Sequence, residues 1–338
     1  MAAAGSTPVK SAGPVPFKDV DDGSVPEHTP KEELSDLVAG LPCGRRGGTR
    51  LYQRFWLPAH LVPGAVVFQR RFTPRPDDVI LASPAKCGTT WLKALAFAVA
   101  ARTQYPPAGA EHPLRRLNPH DCVPFIEEVF ARGVEAKLDL LPSPRLMNTH
   151  LPYTLLPEAV TSGGGCGRVV YICRDLKDMV VSMWHFFGPT RNLSFDEVFQ
   201  GVCEGTMPVG PVWDHVLGYW RASVARPDRV LFLKYEDLLR DPGSNVRRLA
   251  EFMGQPFSAA EEAAGAVASV VDLCCFRTMK GLEANKTGTV GSFIGFPRGS
   301  YFRKGVAGDW ASHMTPEMAA RLDGIVRDKF RGTGLNFT

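Results

Sequence analysis

One stretch of the chain gathers residues that could hold an anion: Ser83-Pro84-Ala85-Lys86-Cys87-Gly88-Thr89-Thr90-Trp91. It lies between an apolar run at 79–83 and a helical pattern that begins near Thr90. Where a parallel strand hands over to a helix, unpaired N–H groups and the helix dipole attract negative charge. Gly88 lets the backbone approach a phosphate closely, Thr89 and Thr90 add hydroxyl donors, and Lys86 supplies a mobile point charge. Trp91 offers a face for a purine to stack on. The spacing is not that of a Walker A loop, GxxxxGK[ST], because Lys86 precedes the glycine and the upstream glycine is missing. Taken alone, the string is also compatible with a strand–turn–helix carrying an incidental lysine.

Elements that could position this loop recur along the chain. Runs at 79–83, 145–149, 169–173 and 230–234 are dense in Val, Ile, Leu and aromatic residues, as strands buried on both faces should be. Helical patterns at 90–101, 177–187, 194–204 and 243–253 alternate with them, which predicts an α/β fold around a central parallel sheet. Residues 1–30 are rich in Ala, Gly, Pro and Ser and read as a disordered tail. A short amphipathic helix is expected at 32–40, and 31–338 is expected to form one domain. The Gly-rich segment 280–303 reads as a long functional loop.

Composition narrows the partners. A formal net charge of +4 over 338 residues, without a lysine or arginine block, argues against nucleic-acid binding. No apolar run reaches the ~18 residues that span a bilayer, so no membrane association is expected. The first thirty residues lack a secretory pattern. They carry Asp19, Asp21, Asp22 and Glu27 without an arginine, unlike a transit peptide. Eight cysteines without a CxxC pair or metal-ligand spacing read as reduced thiols, and no metal site is expected. A cytoplasmic location follows from these features.

Further motifs carry a family resemblance. Met147-Asn148-Thr149-His150-Leu151-Pro152-Tyr153, Tyr171-Ile172-Cys173-Arg174-Asp175, Lys234-Tyr235-Glu236-Asp237 and Arg303-Lys304-Gly305-Val306-Ala307-Gly308-Asp309-Trp310 follow the loop in order. Together the five segments resemble the cytosolic sulfotransferases, most closely plant flavonol- and hormone-type members. The stretch from Gly210 to Trp220 is similar to plant members in particular. The resemblance implies a single α/β domain with a nucleotide-kinase-like phosphate-binding loop. It also implies 3′-phosphoadenosine 5′-phosphosulfate (PAPS) as donor, 3′-phosphoadenosine 5′-phosphate (PAP) as product, and a hydroxyl of a small apolar acceptor as the target.

On that resemblance, the segment Lys86, Cys87, Gly88, Thr89, Thr90 and Trp91 surrounds the 5′-phosphosulfate. His150 is the general base, since an ordinary histidine pKa of about 6.5 suits proton removal near neutrality. Lys86 stabilises charge on the departing bridging oxygen. Arg174 and Ser182 hold the 3′-phosphate, Arg303, Lys304 and Gly305 close over it, and Trp91, Tyr235 and Phe276 surround the adenine. Tyr52, Phe55, Trp56, Phe125, His185 and Phe186 are the candidate acceptor lining.

The chain departs from the family pattern at three positions. Cys87 stands where Ser is usual, Ala85 where Pro is usual, and Asn148 where many animal members have Lys. A dimerisation pattern known from animal relatives is not recognisable around 310–321, which leaves the oligomeric state open. Two other readings compete: an ATP- and Mg²⁺-dependent small-molecule kinase, and a non-catalytic nucleotide-binding protein.

Overall fold

The computed structural model describes residues 13–45, 48–162 and 165–337. A hairpin, β1 (Thr49–Tyr52) and β2 (Phe55–Pro58), precedes the central sheet. That sheet consists of β3 (Val79–Ala82), β4 (Leu146–Thr149), β5 (Arg168–Cys173) and β6 (Val230–Lys234), ordered β4-β3-β5-β6 and parallel throughout. The four runs expected as strands are these four, with ends shifted by at most one residue.

Period-2 alternation divides the interior into two layers. Ile80, Met147, Val169, Tyr171 and Phe232 face one apolar cluster, while Val79, Leu81, Val170, Ile172 and Leu233 face the other. The helix Thr89–Ala101 fills the second layer and is apolar nearly all round, which explains why it is buried along its length. The helix Leu176–Arg191 is capped by Asp175, whose carboxylate accepts the Lys177 N–H at 2.7 Å, and stops at Asn192 in the left-handed region. The expected helices at 194–204 and 243–253 correspond to Phe195–Cys203 and Pro242–Phe252. The helix expected at 32–40 is broken at Leu34 into Pro30–Glu33 and Ser35–Gly40. The segment 280–303 contains a short hairpin, Thr289–Val290 against Phe296–Pro297, followed by a 3₁₀ turn at Arg298–Tyr301.

The tail reading needs correction. Residues 1–12 lie outside the described residues, but 13–30 pack on the domain. Phe17 is buried in the first apolar layer. Asp19 pairs with Arg116, while Asp21 pairs with Arg132 at 3.0 Å and with Lys137 at 2.7 Å. Composition averaged over thirty residues hid one aromatic anchor and a set of acids with distant basic partners.

Candidate active site

The carboxyl ends of β3, β4 and β5 open into a cavity of about 950 Å³. The loop after β3 forms one wall, and two residues in it have left-handed backbone, Lys86 at φ 67° and Gly88 at φ 101°. A Cβ on Gly88 would stand 2.8 Å from the Tyr235 ring and 3.1 Å from Ile172, so glycine is needed both for conformation and for space. The first N–H groups of the helix that follows have no intrahelical partner and face this end of the sheet. Thr89 shares a 2.7 Å hydrogen bond with Ser83 that closes the loop on itself.

Lys86 points across the cavity with its ammonium 3.6 Å from the centre of the Phe186 ring. Among the described residues no carboxylate pairs with it. Burial, reinforced by the charges of Arg174 and Arg303, lowers its pKa to about 7. Arg174 and Arg303 have carboxylate partners of their own, but Lys86 beside them has none, and an anion in the cavity would relieve the repulsion it feels. Cys87 corrects part of the sequence reading. Its side chain is fully buried in the core and does not line the cavity, and burial pushes its thiol up to about 12. Only its backbone can serve a ligand, which is why a thiol in place of a hydroxyl leaves the cavity wall unchanged.

His150 lies at the end of β4. A carbonyl oxygen can only accept, so the 2.8 Å contact with Ser83 O places a proton on His150 Nδ1 and leaves Nε2 with its lone pair. Burial lowers the ring's pKa to about 4, which keeps it neutral. Residues that sequence reasoning missed hold this segment. Glu127 accepts from the His150 N–H at 2.7 Å and from the Thr149 hydroxyl at 3.0 Å. His215 donates from Nε2 to His150 O at 2.9 Å, and Tyr171 donates in turn to His215 Nδ1 at 3.0 Å. The His150 motif points to its own strand end, whereas this cradle comes from two helices and from β5, which lies two strands away.

Opposite lies a second basic group. Arg174 reaches Asp178 at 3.1 Å and the Val306 carbonyl at 2.8 Å, yet its buried Nε has no partner. Ser182 lines the cavity two turns into the same helix. Arg303 and Lys304 both pair with Asp309, at 2.7 and 2.5 Å. Burial opposes ionisation of Asp309, but hydrogen bonds from Lys304 and Arg303 hold its carboxyl down to about 2. Gly305 has φ 68°, and a Cβ there would overlap the Phe276 ring. Trp91 and Tyr235 meet edge to face at 5.6 Å, and together with Phe276 they make an aromatic corner of the cavity.

The acceptor candidates divide. Phe125 and Phe186 line the cavity, whereas Tyr52, Phe55, Trp56 and His185 do not. Tyr52 donates its hydroxyl to Gln69 and Phe55 packs on the core, while the end of β2, Leu57 and Pro58, reaches the cavity. His185 is turned about 100° from Phe186 on the helix and packs on Trp184 and His313 instead. The apolar wall also includes His60, Leu61, Phe187, Phe293 and Ile294, and Phe17 and Val25 from the corrected tail. Apart from Phe187, which follows Phe186 on the helix Leu176–Arg191, these were missed because they sit on short segments without periodicity. Among the described residues no group of His, Cys, Asp and Glu is arranged to hold a metal ion. No described helix is long and apolar enough to cross a membrane.

A cation-lined cavity at the strand ends of a parallel sheet, with a neutral histidine facing it, can hold an anionic group beside a base. Residues 76–334 match the sulfotransferase domain, and the chain belongs to the sulfotransferase family. It is 41% identical to cytosolic sulfotransferase 8 of Arabidopsis thaliana over 90% of this chain and 93% of that protein. It is likewise 41% identical to flavonol 4′-sulfotransferase of Flaveria chlorifolia, over 90% of this chain and 97% of that one. Among solved structures, an Arabidopsis thaliana protein described as a steroid sulphotransferase superposes with a TM-score of 0.72 at 35% identity, covering 93% of this chain and all of that one. A mouse sulfotransferase complexed with PAP shares the fold, with a TM-score of 0.66 at 24% identity over 84% of this chain and 95% of that one. The protein is therefore an enzyme of the plant cytosolic sulfotransferase type.

Proposed function

We propose that the protein transfers the sulfuryl group of PAPS to a hydroxyl of a small, largely apolar plant metabolite or hormone, in the cytosol. The observation that carries this reading is the free Nε2 of His150 facing the same cavity as Lys86 and the Arg174–Arg303 group. Eight free cysteines and the cytosolic names of the relatives support the location.

In this reading Arg174, Ser182, Arg303, Lys304 and the Gly305 N–H hold the 3′-phosphate, and the unpartnered Arg174 Nε supplies one of the donors. Trp91, Tyr235 and Phe276 take the adenine. The loop amides with Gly88, Thr89 and Thr90 take the 5′-phosphate. His150 Nε2 accepts the acceptor's hydroxyl proton as the new S–O bond forms in line with the breaking one. Lys86 stabilises the electron pair left on the bridging oxygen. Phe125, Phe186 and the apolar wall exclude water and orient the acceptor. A flat aromatic acceptor fits such a wall, and the flavonol-sulfating relative supports that class. Incubating the protein with radiolabelled PAPS and a panel of hydroxylated plant metabolites tests the reading. Label should move to at least one phenolic or alcoholic acceptor; transfer of phosphate from ATP instead would contradict it.

A further inference from the structure

Next to the loop, Thr90 is joined in a hydrogen-bonded chain to His120 and Lys93, two residues that the roles above leave unused. Lys93 is 0% exposed, in the middle of an otherwise apolar helix. Its Nζ lies 3.0 Å from the Val123 carbonyl oxygen and 3.2 Å from His120 Nδ1. His120 Nε2 is 3.0 Å from Thr90 Oγ1, and the imidazole is covered by the Tyr301 ring at 4.5 Å. All three side chains reach the cavity wall.

Hydrogen-bond roles give this chain a direction. An ammonium has donors only, so a protonated Lys93 donates both to Val123 O and to His120 Nδ1. Nδ1 must then carry the lone pair. Burial, with the Lys93 charge, holds the His120 pKa well below its ordinary value, so the ring is neutral and its one hydrogen sits on Nε2. Nε2–H donates to Thr90 Oγ1, and the Thr90 hydroxyl hydrogen is released toward the cavity. The opposite direction is also chemically possible. A neutral Lys93 would accept from Nδ1–H, Thr90 would donate to Nε2, and only its lone pairs would face an incoming anion. Burial lowers the Lys93 pKa to about 7, so a nearby anion is sufficient to favour the outward direction. Asn148 cannot substitute for this cation, because its amide donates to the Leu81 and Thr149 carbonyls at 2.8 and 3.4 Å.

We propose that Lys93 and His120 are positioning residues that fix the Thr90 hydroxyl as a hydrogen-bond donor to the 5′-phosphate oxygens of the bound nucleotide. The inference rests on the nucleotide assignment made above and adds a relay behind it.

Calorimetric titration with PAP tests the relay without an acceptor. Thr90→Val and His120→Leu should each weaken PAP binding roughly ten- to hundredfold, the worth of a charge-assisted hydrogen bond. The double variant should bind no more weakly than the poorer single one, because both changes remove the same bond. His120→Gln should stay within about threefold of the parent, since its carbonyl can accept from Lys93 while its amide donates to Thr90. Losses that multiply in the double variant, or a His120→Gln as weak as His120→Leu, overturn the proposal. NMR of isotope-labelled imidazole nitrogens in the unaltered protein supplies a readout independent of variant folding. The signals that vanish in His120→Gln should report a protonated Nε2 and a bare Nδ1 with PAP bound, and the reverse tautomer overturns the relay. Equal affinity of the unaltered protein for PAP and AMP would instead refute the 3′-phosphate assignment, while the tautomer still reports on the chain.

Discussion

His150 Nδ1 lies 2.8 Å from the carbonyl oxygen of Ser83, so the first residue of the anion-binding loop sets the tautomer of the histidine at the end of the neighbouring strand. Base and loop are therefore one construction. The parallel pairing of β3 with β4, with Ala82 opposite Thr149, brings the two strand ends level. One backbone carbonyl then serves both.

Nucleotide binding should take up protons. Lys86, with its pKa near 7 in the ligand-free cavity, is largely neutral at pH 8, and a polyanion beside it raises that pKa. Titrating PAP in buffers of different ionisation enthalpy at pH 8 should show uptake, diminished in Lys86→Met. Binding without proton uptake would contradict the proposed placement of the 5′-phosphate.

Stability should also depend on pH through the same group. A lysine whose folded pKa is depressed binds fewer protons folded than unfolded. Stability therefore rises with pH between about 7 and the ordinary lysine value of about 10.4. Thermal melts of the ligand-free protein should show this rise from pH 7 to 9, with Lys93 acting in the same sense. Saturating PAP should flatten the part due to Lys86.

Gly305→Ala should weaken PAP binding about tenfold or more, because a left-handed alanine costs roughly 1–2 kcal/mol and its methyl group would displace Phe276. Gly308→Ala is a fair comparison: it shares the positive φ, at 82°, but has open space around its Cβ. Similar losses in both variants would show that Phe276 contact is irrelevant.

The N-terminal segment should behave as part of the domain from Phe17 onward. Phe17→Ala should destabilise the fold by about 3–5 kcal/mol, as for a core phenylalanine, measured by denaturant unfolding. A change below about 0.5 kcal/mol, typical of surface sites, would place this segment outside the core.

Much of the site was legible because its parts are local. Lys86, Gly88 and Thr90 sit within one strand–loop–helix whose residue types and spacing suit an anion, and Arg303 to Trp310 form one continuous segment that the family resemblance could assign. What stayed hidden depends on distant contacts. Glu127 and His215 cradle His150 from other helices, and no spacing rule joins residues that far apart. Leu57 and Pro58 reach the cavity and Phe55 and Trp56 do not, because only the end of β2 comes up to it, and that placement is decided by tertiary packing. Phe17 was lost to a composition average, since one buried ring outweighs many polar neighbours.

The most direct test of the account is the kinetics of His150→Ala against Arg303→Ala, once an acceptor with a measurable rate is known. With His150 acting only on the acceptor hydroxyl, His150→Ala should keep nearly unchanged PAP affinity while single-turnover transfer falls by something like 10²–10⁴-fold. Arg303→Ala should do the reverse, weakening PAP by about 1.5–3 kcal/mol and recovering its rate at high donor concentration. Unimpaired turnover of His150→Ala at saturating substrates would remove the histidine from the chemistry and contradict the account at its centre.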